Sequence, residues 1–158
     1  MHTERLILRS IDTDEAERIV ARQPETQDSW ARDFPFEGDV IGVTMFLRAT
    51  AALGDQYPFG HYTVVRAGDG QAIGGIGFKG QPDDGSVEIG YGLARSARGN
   101  GYAAEAARAL VKLAREQGLS RIVANTDKDN TASQRTLEHA GFTKTGTNED
   151  LLLYGLNI

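Results

Sequence analysis

The chain has 158 residues, 40% of them hydrophobic, which is enough apolar material for one core, and its 17 basic against 22 acidic residues give a net charge of −5. No stretch approaches the roughly 20 apolar residues that cross a bilayer, and the opening Met1-His2-Thr3-Glu4-Arg5 lacks a basic segment followed by an apolar run, so a cytoplasmic location is expected. The absence of cysteine excludes a disulfide framework, thiolate metal ligands and a cysteine nucleophile, while the negative field and the lack of any Lys/Arg block speak against nucleic acid and for a cationic partner.

Residues 6–8, Leu-Ile-Leu, read as a short strand, and Thr13, Asp14 and Glu15 supply an acidic first turn for a helix over 13–21. Residues 23–39 carry Pro24, Trp30, Phe34, Pro35, Phe36 and Gly38 with no sustained period, which predicts an irregular loop. A second helix is expected over 40–52, ending near Gly54. Strands follow over 59–66, 72–79 and 87–93, joined by the glycine-bearing turns Ala67-Gly-Asp-Gly-Gln71 and Gln81-Pro-Asp-Asp-Gly85, so an antiparallel meander is expected. A long helix over 102–117 stops at Gly118, then come a β-branched strand over 121–126, a helix over 131–140 and terminal strands over 142–145 and 151–156. With no linker or repeat, residues 1–158 form one α+β domain (α/β in the broad sense), a single mixed sheet with helices on its faces.

The sharpest local feature is Arg95-Ser-Ala-Arg98-Gly99-Asn100-Gly101-Tyr102-Ala103, between a strand and a helix. Glycines let successive N–H groups converge on one concavity, and the helix N-terminus adds partial positive charge, so an anion is favoured there. The helix behind it presents a stripe of Ala103, Ala106, Ala107, Leu110, Leu113 and Ala114, leaving Glu105, Arg108, Lys112 and Arg115 facing mostly outward. No Gly-Lys-Ser/Thr follows, which rules out a Walker A loop. Gly99-Asn-Gly-Tyr-Ala-Ala fits the permissive dinucleotide pattern, but a Rossmann half would need its glycines after the first strand and further βα units beyond, and only 31 residues follow Asp127. A glycine-rich turn with no ligand stays open on these residues alone.

Arg98-x-x-Gly101-x-Ala103, after the strand Val87-Glu-Ile-Gly-Tyr-Gly-Leu93, resembles the acetyl-CoA motif of the GNAT superfamily. Asn130-Thr-Ala-Ser133 with Leu137, Gly141 and Phe142 is similar to a second segment of that family, and Thr3-Glu-Arg-Leu-Ile-Leu-Arg9 to the opening of its RimJ/RimL-like branch. The resemblance spans the chain. It implies a mainly antiparallel, twisted sheet with helices on both faces and a central pair of strands splayed around pantetheine. It further implies acetyl-CoA as co-substrate, an acetyl group passed to a primary amine (a protein N-terminus or a small amine), and no metal. Backbone N–H groups of Arg98, Gly99, Asn100, Gly101, Tyr102 and Ala103 would cradle the pyrophosphate, the Leu93 backbone would pair with the pantetheine amide, and the Asn130 side chain would reach the same arm. Asn130 could equally cap the helix it precedes.

Acetyl transfer needs a neutral amine, whereas an aliphatic amine is mostly protonated at pH 7. Alternation puts Glu88, Gly90 and Gly92 on one face of their strand, an open groove beside a carboxylate, and relatives carry a catalytic glutamate on this strand, so Glu88 is the candidate general base; a plain solvated carboxylate is the other reading. Many family members protonate the CoA thiolate with a tyrosine where this chain has Leu137, and the branch offers instead the serine found here as Ser133, which is also an ordinary early-helix residue. His139 fits the last turn of its helix; His61, on a strand, is a candidate for the acceptor side. Trp30, Phe34 and Phe36 are candidates for an acceptor wall or for core packing. A non-catalytic acyl-CoA sensor and a dinucleotide-binding oxidoreductase are the competing functions, and a homodimer is left open.

Overall fold

A computed structural model describes all 158 residues. Strand β1 (Leu6–Ser10) leads into helix α1 (Thr13–Ala21), whose first turn is closed by Asp12, the side chain accepting from Glu15 N at 2.9 Å. Helix α2 (Glu37–Leu53) starts three residues before the expected position. Its cap comes from inside the helix: Asp39 Oδ2 accepts from Phe36 N at 3.1 Å, so a side-chain carboxylate in the first turn closes a start that has no Ser, Thr, Asp or Asn at the N-cap. Strands β2 (His61–Arg66), β3 (Gln71–Phe78) and β4 (Ser86–Leu93) make the meander. After a single 3-10 turn at Arg95–Ala97 come α3 (Tyr102–Glu116), β5 (Arg121–Asp127), α4 (Thr131–His139), β6 (Thr143–Asn148) and β7 (Leu151–Asn157).

The seven strands form one sheet in the order β1-β2-β3-β4-β5-β7-β6, antiparallel throughout except at β4 and β5. Those two pair in parallel through only Ser86–Arg121, Val87–Ile122 and Glu88–Val123, although both run further. Past Glu88 they diverge and leave a gap in the middle of the sheet. Helices α1 and α2 cover the face that carries Glu88, Gly90 and Gly92; α3 and α4 cover the face that carries Ile89 and Tyr91. Ile73, Ile76, Ile89, Leu110, Ile122 and Leu137 are fully buried between these layers. No helix is long and apolar enough to cross a membrane.

Glu105 departs from its expected outward position. It is buried and accepts from Thr3 Oγ1 at 2.6 Å, Arg5 N at 2.8 Å and Arg5 Nε at 2.8 Å, because the start of β1 lies against this flank of α3. Three donors and an ion pair compensate the burial and hold the Glu105 carboxyl below its ordinary range, although desolvation alone would raise it.

Candidate active site

The turn before α3 is built on two glycines in the left-handed region, Gly99 at φ +81° and Gly101 at φ +79°. Gly101 is the N-cap of α3 and contributes no side-chain bond; the first intrahelical bond there runs from Glu105 N to Gly101 O. The N–H groups from Gly99 to Ala103 are therefore available to an anion, whereas that of Arg98, expected in the same cradle, is taken by Arg95 O at 3.2 Å in the 3-10 turn. Side chains brace the turn from behind. Asn100 Nδ2 donates to the carbonyls of Ala97 and Arg98, both at 3.2 Å, and Arg5 Nη1 donates to Asn100 O at 2.8 Å while its guanidinium lies 4.6 Å from the Tyr102 ring centroid. Arg98 Nε donates to Leu93 O at 3.0 Å, which ties the turn to the end of β4. The sequence offered no sign of Arg5, since its partners lie about a hundred positions away.

The gap between β4 and β5 meets this turn. Lys79 N donates to Glu88 O, so β4 directs the backbone groups of Glu88, Gly90 and Gly92 toward β3 and those of Ile89, Tyr91 and Leu93 toward the gap. An amide-bearing arm laid in the gap finds an unpaired strand edge there. From the far side, Asn130 caps α4, its Oδ1 accepting from Ser133 N at 3.0 Å, which leaves the amide NH₂ as its remaining donor. The capping alternative is thus present in the fold and still leaves Asn130 a hydrogen-bonding group.

Ser133 is not alone. Its hydroxyl lies 2.8 Å from the Tyr91 hydroxyl, which also donates to Ser133 O at 3.1 Å. Burial pushes the Tyr91 phenol up to about 12, against the opposing effect of its bond to Ser133, so it stays a neutral donor. Leu137 is a fully buried core residue. The phenol of this site therefore comes from β4 and not from α4.

A cavity of about 500 Å³ passes from this gap to the space under α2. At one end are Tyr91, Ser133, Asn125 and Lys79; at the other are Asp39 and His61. Its floor is glycine, with Gly77 paired to Gly90 and Gly75 to Gly92 across β3 and β4. A Cβ on Gly75 would lie 2.5 Å from His61 Nε2 and 3.2 Å from Asp39 Oδ1, one on Gly77 would lie 3.2 Å from His61 Nδ1, and one on Gly42 of α2 would lie 3.5 Å from His61 Cε1. The imidazole is thus seated between three glycines. Burial lowers His61 to about 4, so it is neutral at pH 7, and raises Asp39 to about 7 against the pull of the Phe36 N–H, Arg22 and Arg98.

Glu88 borders the cavity. Its Oε1 accepts from Asn125 Nδ2 at 2.8 Å and pairs with Lys79 Nζ at 3.1 Å, two groups that line the cavity, and Oε2 is free. Phe36 lies over Gly92 with Arg98 5.5 Å from its ring centroid, joining the two ends of the site. Trp30 and Phe34 pack edge to face at 5.3 Å and do not line the cavity, so these two aromatics stand apart from the other candidates. Asp39, Tyr91 and Asn125 are the additions that only the fold brings in.

The family profile described as an acetyltransferase (GNAT) domain matches residues 5–143. This chain belongs to the GNAT acetyltransferase family. Among its relatives is the uncharacterized N-acetyltransferase YjdG of Bacillus subtilis (strain 168), 36% identical over 121 residues that make up 75% of this chain and 69% of that protein. An acetyltransferase from Agrobacterium tumefaciens str. C58 superposes with a TM-score of 0.70 at 25% identity, over 99% of this chain and 92% of the other. Mycobacterium smegmatis RimJ, crystallised in complex with CoA-disulfide, shares the fold with a TM-score of 0.68 at 23% identity, over 96% and 81%. The chain is a GNAT N-acetyltransferase with the fold of that family.

Proposed function

We propose that this acetyltransferase uses acetyl-CoA to acetylate a primary amine, a peptide N-terminus or a small amine, by direct attack in a ternary complex, and that it belongs with the RimJ/RimL-like branch. The observation that carries the reading is the single cavity that begins in the β4–β5 gap and continues under α2, so that a thioester entering from one side and an amine entering from the other share one space. The pyrophosphate rests on the N–H groups of Gly99 through Ala103, pantetheine runs along β4 to Leu93, and Asn130 offers its free NH₂ to that arm. With no cysteine to carry the acetyl group, the amine attacks the thioester carbon itself. Glu88 accepts a proton from the attacking nitrogen, through a water at its free Oε2. Ser133 donates a hydrogen bond to the departing thiolate, its hydroxyl held 2.8 Å from that of Tyr91.

The test is CoA release from acetyl-CoA with a panel of primary amines and N-terminal peptides, with initial rates measured over both substrates. Intersecting lines are expected. Parallel lines with an isolable acetyl-enzyme would reject direct attack, and acetyl-CoA binding without amine-dependent CoA release across the panel would favour an acyl-CoA sensor.

A further inference from the structure

Converting an ammonium ion to an amide removes two protons from the nitrogen, one before attack and one as the tetrahedral adduct forms. Glu88 stands where the second is released. The cavity holds another acid–base pole at its opposite end, which the sequence does not announce.

We propose that Asp39, with His61 beside it, receives the acceptor as an ammonium ion and takes the first proton. This rests on the acetyltransferase reading above. Asp39 is 3% exposed, and only Oδ2 is engaged, by Phe36 N; Oδ1 has no hydrogen-bond partner and faces the cavity next to His61 Nε2. His61 makes no hydrogen bond either, although Gly75, Gly77 and Gly42 give up their side chains to seat its ring. A carboxylate oxygen that has no protein donor and opens only onto the cavity is poorly solvated, and a cationic donor entering the cavity would stabilise it. An ammonium has three N–H groups, enough for Asp39 Oδ1 and the unprotonated nitrogen of a neutral His61 together.

The proton passes from R–NH₃⁺ to Asp39 carboxylate, giving R–NH₂ and the carboxylic acid. The nitrogen lone pair then attacks the thioester carbon, the second proton leaves toward Glu88, and the C–S bond breaks to thiolate, which takes a proton from water to give CoA while Glu88 returns its own to water. Asp39 returns its proton to water through the cavity mouth. Gly92 lies one pleat repeat, about 7 Å, from Gly90 along β4, so docking at Asp39 and attack in the gap are neighbouring but separate positions. Arg22 and Arg98 face Asp39 with positive charge and His61 faces it neutral, while Lys79 and Glu88 neutralise each other at the other end. The carboxyl group is therefore poised to change ionisation near neutral pH as a cation enters.

Ethylamine and 2,2,2-trifluoroethylamine are close in size but differ in charge at pH 7, the first an ammonium and the second a neutral amine. Asp39→Asn should lower kcat/KM for ethylamine by about 30-fold or more while trifluoroethylamine loses less than about 3-fold, whereas Glu88→Gln should slow both alike. The ethylamine defect should disappear as pH rises toward its pKa. In parallel, the ¹³C-carboxyl NMR signal of Asp39 in the CoA complex should move toward the ionised position when ethylammonium is added at pH 7. Equal losses on both amines in Asp39→Asn, or an Asp39 signal indifferent to ethylammonium, would overturn the assignment. If neither amine is turned over by the wild-type enzyme, the acetyltransferase chemistry on small amines fails while the NMR titration still decides the subsite.

Discussion

The two halves of the proposed site are made in opposite ways. The proposed cofactor half is a contiguous run, Gly99 to Ala103, whose chemistry would lie in backbone N–H groups exposed by two glycines at positive φ. The acceptor end is assembled from side chains on α2, β2, β3 and β4, held over a floor of glycines that carry no chemistry themselves. A site written in backbone geometry tolerates almost any neighbouring side chain and so keeps a readable motif. A site written in side chains brought together by the fold leaves no contiguous trace, and it is there that specificity is set.

The largest effect that separates the ends is Glu88→Gln. It should depress turnover by about 10²–10⁴-fold while leaving acetyl-CoA binding unchanged, and a variant with near wild-type turnover would remove Glu88 from the chemistry. Gly101→Val attacks the other end: a β-branched residue at φ +79° is strained, and its side chain meets Arg5 Nη2, 3.5 Å from the Cβ position. The acetyl-CoA-induced rise in Tm should vanish in a folded variant, by mass action; a preserved shift would detach the cofactor from this turn.

A finer probe is Gly75→Ala. Its methyl would sit 2.5 Å from His61 Nε2, so the ring must move, and kcat/KM for the acceptor should fall by about 10-fold with acetyl-CoA affinity unaffected. Asp39→Asn also carries a stability signature. Asp39 titrates at about 7 in the fold against 3.8 for the free side chain, so its ionisation costs nothing below pH 4, costs progressively more up to pH 7 and is constant above. The variant should therefore be more stable than wild type at pH 8, by a few kcal/mol at most, and indistinguishable at pH 4 by urea titration. The smallest effect is Asn130→Ala. Loss of the α4 cap should cost about 1 kcal/mol, and a weakening of CoA binding beyond that cost would show that Asn130 acts at both.

Sequence patterning placed every strand and helix, most of them because they report their own burial, although β6 is exposed along nearly its whole length. The alternation Val87, Ile89, Tyr91, Leu93 against Glu88, Gly90, Gly92 is the sheet's two faces read directly. The start of α2 escaped because its cap is Asp39 acting backwards on Phe36 N, and Phe36 is no capping residue by type. Glu105 escaped because a charged residue at the edge of an apolar stripe looks solvated until Thr3 and Arg5 are known to lie on it. His61 was suspected only from its titration range. Its partnership with Asp39, 22 positions earlier, and that of Tyr91 with Ser133, 42 positions later, depend on α2 and α4 closing over opposite faces of one sheet. Neither pairing has a local sequence correlate.

Arg5 joins three things distant in the chain: the Glu105 carboxylate, the Asn100 carbonyl and the Tyr102 ring. Closing that contact shuts a loop of about a hundred residues, and we expect it late in folding, once the intervening sheet exists. The turn proposed to hold the pyrophosphate would then be completed only when Arg5 docks. Acetyl-CoA should accordingly bind no intermediate in which β1 is undocked, so ligand-induced fluorescence or CD changes during refolding would time the arrival of the first strand and not the formation of the turn that the ligand touches.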